Sequence, residues 1–400
     1  MTKNRRKRLS RYAAIPISLL LLGGLYFGAK AVAEVRFNAA ASASETEIQL
    51  HDGLWNYNVL TAREQLLYDV LYDAMDARDT ETAYLDFVPT VDEFSAAFDA
   101  VQNDHPLFCD LVPEACTMRT SDHSAQITLA YLQDGESRRE ALAGKVQALT
   151  TAVSGTDIAD AALQLHDSLI SVCAYSAQEE HTGRATAYDA LIRGEANGFG
   201  YALAYALLCR EAGIDCTVVT GSVANGAQTG IHAWNVLELD GVRGYTDVMW
   251  NDTAAVYDGT VGPEGIPFHG YYFLSSPEML EDHTPDYDFG VNTETDNYYE
   301  RNLLYADTEE ALGPMLAALL SEARRAGANS IEFRIVPGLA LTDYALEEAL
   351  TAAIAEANGK EMPDAPQLRQ INRVYHTSYD GGSITVQLFY EESEPLGEPQ

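Results

Sequence analysis

Two residues in neighbouring runs of this sequence could move protons: His232 in GIHAWNVLELDG and Asp247 in YTDVMWND. An imidazole held in one tautomer by a carboxylate is what a thiol or hydroxyl nucleophile needs in order to attack an acyl group. A histidine and an aspartate on adjacent strands can also simply pair, so the motif around them must carry the argument. Of the five cysteines, Cys109, Cys116, Cys173, Cys209 and Cys216, none lies in the Gly/Ala-rich stretch Gly194–Ala202 that precedes those runs. His166-Asp167 reads as packing and surface. DYDFGVN, residues 286–292, places oxygen ligands at alternate positions but lacks the glycine and distal glutamate spacing of a calcium loop, so it reads as a solvated acidic loop. With no H-E-x-x-H, P-loop or G-x-S-x-G, no cofactor and no metal is implied.

The elements that must position the pair follow from pattern. Ala196 to Ala212 is rich in Ala and Leu, holds no proline and stops at Gly213, which makes a helix ended by a glycine. CTVVTGSV, HAWNVLEL and GYTDVMW then alternate as strands, the last two joined through Asp240-Gly241 as a hairpin. Upstream, Thr61 with Glu64 forms a capping box opening a helix, and a second helix begins after Thr90 with Phe94, Ala97 and Phe98 inward. SAQITLAYL is a strand, Arg138–Val153 a helix, and a further amphipathic helix starts near Thr156 with Leu163, Leu169, Ile170 and Cys173 inward. After Ala306 the order is helix, strand, helix and strands near Val374 and Ile384–Tyr390, a small α/β unit.

AYDALIRGEANGFGYALAY, LLCREAGIDCTVVTG, GIHAWNVLELDG and YTDVMWND, in this order, resemble the transglutaminase-like superfamily of papain-like fold. The resemblance implies a helix carrying a nucleophilic cysteine at its start, followed by an antiparallel sheet carrying His232 and Asp247. The family pattern G-x-A-x-C-x-G-Y-A laid over Gly194–Ala202 puts Gly198 at the cysteine. A thiolate there would be stabilised by the helix dipole and an imidazolium; glycine has nothing to attack with. Cys209 lies eleven residues on, about 16 Å along the axis, too far to replace it. Arg243 and Gly244 also stand where the family usually has an aromatic, while Trp250 and Asp252 are kept. Gly198, Tyr201, Trp234 and Trp250 are expected to line the cleft.

The chain has a net charge of −35, and residues 1–33 hold seven basic and no acidic side chains, so the remainder carries −35 − 7, about −42. That excludes nucleic acid and anionic membrane surfaces as partners by charge. A basic start followed by the apolar run Tyr12–Phe27 and small residues at Ala29, Ala31 and Ala33 reads as a signal peptide or a membrane anchor, placing the rest outside the cytoplasm. Cys109 and Cys116, in the loop-like FCDLVPEAC, are the candidate disulfide for that setting.

The reading is α+β: a signal peptide or anchor (1–33), a spacer (34–58), an N-terminal α-rich region (59–155), a papain-like transglutaminase core (156–305), a C-terminal α/β unit (306–390) and a polar tail (391–400). Function reads as an exported pseudoenzyme that binds a polypeptide or cell-wall peptide. An active cysteine protease or amide transferase with another nucleophile is the alternative, and a structural surface module is the second.

Overall fold

Reciprocal capping starts the first two helices. Thr61 accepts from Glu64 N while Glu64 returns to Thr61 N, opening α1 (Ala62–Ala77); Thr90 and Glu93 repeat this at α2 (Val91–Asp104). Leu67, Leu71 and Met75 of α1 meet Ala97, Phe98 and Val101 of α2 in one core. Ile127 of β2 (Ala125–Thr128) joins them, paired antiparallel with β1 (Thr117–Thr120), a strand the sequence reading did not place.

The computed structural model describes residues 36–37, 54–155, 157–176, 185–225, 228–252, 268–336, 339, 341–362, 365–369, 374–376 and 383–391. The apolar N-terminal run, most of the spacer and all but the first residue of the polar tail lie outside them. Among the described residues no helix is long and apolar enough to cross a membrane. The chain divides into two compact units, Met1–Gly135 and Glu136–Gln400.

In the second unit, α3 (Gly135–Ala152) and α4 (Ile158–Val172, capped by Asp157) precede a short parallel pair, β3 (Ala174–Tyr175) and β4 (Glu195–Ala196). On α4 the buried positions include Leu165, His166, Leu169 and Ile170, whereas Leu163 is only half-buried. α5 (Gly198–Glu211) follows, with all but four of its residues buried, because it is sandwiched between α4 and the main sheet. It begins at Gly198, not Ala196, because the Asn197 side chain caps it by accepting from Phe199 N at 3.1 Å.

The main sheet is antiparallel, in the order β7-β6-β5-β8, from β5 (Asp215–Asn225), β6 (Gln228–Leu239), β7 (Val242–Thr246) and β8 (His283–Pro285). Asp240 and Gly241, with φ of 52° and 78°, make the β6–β7 turn, which needs left-handed backbone at both positions. Asn235 ties sheet to helix, its Nδ2 donating to the Ala202 carbonyl at 2.9 Å.

A second sheet, β11-β12-β10-β9, is built from β9 (Tyr305–Ala306), β10 (Ser330–Ile335), β11 (Val374–His376) and β12 (Ser383–Gln387). It shares a core with α6 (Glu309–Ala326) and α7 (Asp343–Gly359) through Leu316, Leu320, Phe333, Leu350, Ile354 and Val386. This is the small α/β unit that the pattern after Ala306 predicts.

All five cysteines are thiols, so the expected Cys109–Cys116 bridge is not formed. The helical turn Pro113–Ala115 stands between the two residues, and the Cys116 Sγ is turned back to the Val112 carbonyl at 3.5 Å.

Candidate active site

The N-terminus of α5, the middle of β6 and the end of β7 converge on one buried spot. His232 on β6 presents its ring to Gly198: a Cβ built on Gly198 would fall inside the van der Waals envelope of the ring, against Cε1 and Nδ1. The ring therefore fills the space where the side chain of a cysteine would start. On its other side, Nε2 bonds Asp247 Oδ2 at 2.6 Å. Asp247 is the first residue past β7, and its Oδ1 accepts from Trp250 N at 3.1 Å, which fixes the carboxylate in the turn 247–250. Both groups are buried, His232 to 5 % exposure and Asp247 to 1 %.

A third member was missed by sequence reasoning. His283 on β8 also bonds Asp247 Oδ2, through Nε2 at 3.1 Å, and its Nδ1 bonds Asp282 Oδ1 at 2.5 Å. Asp282 in turn accepts from the Tyr271 hydroxyl at 2.6 Å. Carboxylates only accept, so both ring nitrogens of His283 carry protons and the ring is an imidazolium. Burial disfavours that charge, but the bonds to Asp247 and Asp282 outweigh it and raise the His283 pKa. Burial alone would likewise raise the Asp247 carboxyl; the charge and hydrogen bonds of His232 and His283 more than reverse this and hold it well below the usual carboxylate range. With Nε2 engaged by Asp247, the His232 ring turns its Nδ1 edge toward Gly198. Chemically this is a base oriented at a helix N-terminus with no nucleophile in front of it.

Three of the residues expected to line a cleft, Tyr201, Trp234 and Trp250, are buried around the site. Trp234 and Trp250 pack against His283 at 4.9 and 4.6 Å between ring centroids, and both are buried. Tyr201, one turn into α5, is buried and donates to Asp252 Oδ2 at 2.6 Å. Trp234 and Trp250 enclose the His283 ring, which no local motif announces. Gly244, where the family has an aromatic, is explained by Phe273: its Cδ2 lies 2.6 Å from where a Cβ would be, so an aromatic from another segment fills that place.

His166 and Asp167 build a second chain of the same form. The Asn251 amide accepts from Tyr271 N through Oδ1 at 2.8 Å, so its Nδ2 is the donor to His166 Nε2 at 2.9 Å. His166 thus carries its proton on Nδ1 and gives it to Asp167 Oδ1 at 2.8 Å. Burial lowers the His166 pKa, in line with a neutral ring. His269 donates to Asp167 at 3.0 Å and to Glu332 of β10 at 2.8 Å, making it an imidazolium. Its ring stacks on Tyr298 at 3.9 Å, and Tyr299 donates its hydroxyl to Glu332. Despite burial, the charges and bonds of Glu332 and Asp167 raise its pKa to about 9.

Among the described residues these two triads, His232–Asp247–His283 and His166–Asp167–His269, also bring metal-ligating atoms within 4.8 Å of one another. In each, the nitrogens that would bind a cation hold the protons that bond the aspartate, so a metal would have to displace them. At His166 the Asn251 donor fixes that proton on Nδ1, and the second triad does not fit a metal.

Gly198 at the helix start, His232 on the second long strand and Asp247 just past the third match the layout that the motif order implies. Residues 145–247 match the family model described as the transglutaminase-like superfamily. This segment is a transglutaminase-like domain. The kyphoscoliosis peptidases of Mus musculus and Homo sapiens are 33 % and 32 % identical over 120 residues, which is 28 % of this chain. The match spans only 18 % of those relatives. A solved structure from Cytophaga hutchinsonii, described as that of a candidate cysteine protease, covers 36 % of this chain and 63 % of its own at 11 % identity, with a TM-score of 0.23. The transglutaminase-like domain has the α+β, papain-like arrangement of helix and antiparallel sheet expected from the sequence.

Proposed function

We propose that this transglutaminase-like domain is a non-catalytic member of a protease-type fold, exported from the cell, that binds a polypeptide or cell-wall peptide without cleaving or crosslinking it. The observation that carries the reading is the His232 ring seated against Gly198: the base and its aspartate are kept, and the space for a thiol is closed. Peptide as the ligand class is taken from the relatives, which are named as peptidases. Export is taken from the basic and apolar N-terminal sequence and the acidity of the rest.

Other thiols do not restore the chemistry. Cys209 sits at the far end of α5. Cys173 is buried, and burial, with the Asp252 charge, pushes its pKa up to about 12, so almost no thiolate exists at neutral pH.

The test incubates the natural protein and Gly198→Cys with labelled glutamine-containing and wall peptides, with and without alkylation. Binding without turnover by the natural protein is expected. Turnover that alkylation abolishes in the natural protein would instead make it a cysteine enzyme. A structural surface module is the second reading, favoured by one specific observation: Tyr201, Trp234 and Trp250 are packed away rather than presented. Absence of binding to every peptide would select it.

A further inference from the structure

His232, Asp247 and His283 offer more than a hydrogen-bonded chain, because two ring nitrogens from different strands aim at a single oxygen. His232 Nε2 lies 2.6 Å and His283 Nε2 3.1 Å from Asp247 Oδ2, and the ligating atoms of the three residues stand within 4.8 Å of one another. What separates this triad from the one at His166 is the far side of each ring. His283 keeps a proton on Nδ1 for Asp282, at 2.5 Å, and the His232 Nδ1 edge faces Gly198, so either ring can release its Nε2 proton and remain an ordinary neutral imidazole. At His166 the Asn251 amide donates to the far nitrogen, and the same release would leave an imidazolate.

We propose that this triad is a zinc site, with His232 Nε2, Asp247 Oδ2 and His283 Nε2 as its protein ligands. Two imidazoles and one carboxylate are a donor set that suits zinc, and water completes the four ligands that zinc takes. The cation enters in exchange for the protons that Asp247 shares with the two rings. The outer groups are those a zinc site needs: Asp282 holds the His283 ring through Nδ1, and Trp250 N holds the second oxygen of Asp247 at 3.1 Å. Charge balances as well. Two neutral rings, the carboxylates of Asp247 and Asp282 and one divalent cation sum to zero, as a buried site requires. Trp234 and Trp250 close the surroundings with apolar rings. Bound zinc joins β6, the end of β7 and β8 through one atom, and it takes the His232 base out of proton transfer. The proposal stands whether or not a peptide binds, and its test uses the metal alone.

The test strips the full-length protein with a chelator, keeps its thiols reduced, and dialyses it against zinc and, separately, against cobalt(II). One equivalent of zinc is expected to be retained, with a raised thermal midpoint. The cobalt form should show visible ligand-field absorption without the near-ultraviolet band of a thiolate–cobalt bond. His283→Asn should lose the metal, Asp282→Asn should weaken it about 10–100-fold, and His123→Gln, at an exposed histidine outside the triad, should keep it. Retention of no zinc by the natural protein, a thiolate band in the cobalt form, or equal affinity in His283→Asn overturns the proposal. Because the zinc count and the cobalt spectrum are read on the natural chain, a variant that fails to fold leaves the test intact.

Discussion

At residue scale the decisive feature is the absence of one side chain. Gly198 is needed not for a special φ but for space, because the His232 ring stands where a Cβ would be and is held there by Asp247. Gly198→Ala should therefore lower the unfolding free energy by about 1–3 kcal/mol, although alanine is the better helix former, because the overpacking outweighs its helix propensity of about 1 kcal/mol. Urea unfolding of Gly198→Ala, His232→Ala and the double variant measures this. Shrinking the ring should recover much of the loss, so a strictly additive cycle would mean that the two positions do not compete for one space. The same crowding bears on Gly198→Cys: a thiol can be accommodated only if the His232 ring moves off Asp247 or the helix start shifts.

At the scale of elements, two imidazolium rings clamp segments that are distant in sequence. His283 joins β8 to the end of β7, and His269 joins α4 to β10. Asp282→Asn leaves the His283 charge buried with one of its two carboxylates gone, and a loss of about 3 kcal/mol in urea unfolding is expected. His269 gives a pH prediction with a definite sign. Its pKa rises from 6.5 to about 9 on folding, so the folded state binds the proton more tightly. The stabilisation is complete below about pH 6.5 and disappears as pH rises through about 9, amounting to roughly 3 kcal/mol over that window. Comparing natural protein with Glu332→Gln by urea unfolding at pH 6.5 and 9.5 checks it: the gap between the two should be large at the lower pH and shrink at the higher. A constant gap would show that His269 is not the titrating group. The chain His166–Asp167–His269–Glu332 also explains how a unit distinct in sequence pattern is attached to the core without extending its sheet.

At the scale of the whole molecule, a net charge of −35 sets the behaviour in salt. Like charges repel most in the compact state, so raising ionic strength from roughly 10 mM to 150 mM, which shortens the screening length from about 30 to 8 Å, should raise the thermal midpoint by a few degrees. A midpoint that falls with salt would mean that attractive ion pairs outweigh the repulsion.

The sequence by itself determined what depends on local pattern and order. The capping boxes at Thr61 and Thr90, the glycine-stopped helix before the sheet, the Asp240-Gly241 turn and the alignment of Gly198, His232 and Asp247 are all statements about neighbours along the chain. Tertiary structure alone decided which distant groups meet. His283 lies thirty-six positions beyond Asp247 and carries no motif of its own, yet it completes the triad because β8 pairs with β5. His269 reaches Asp167, and Glu332 reaches His269, across even longer separations. The burial of Trp234 and Trp250 depends on what packs over them, and here that is an imidazolium from another strand. The cysteines show the same division: spacing suggested Cys109 with Cys116, whereas the Cys116 Sγ is turned back to the Val112 carbonyl, because a local turn fixes the direction of its side chains and sequence distance does not.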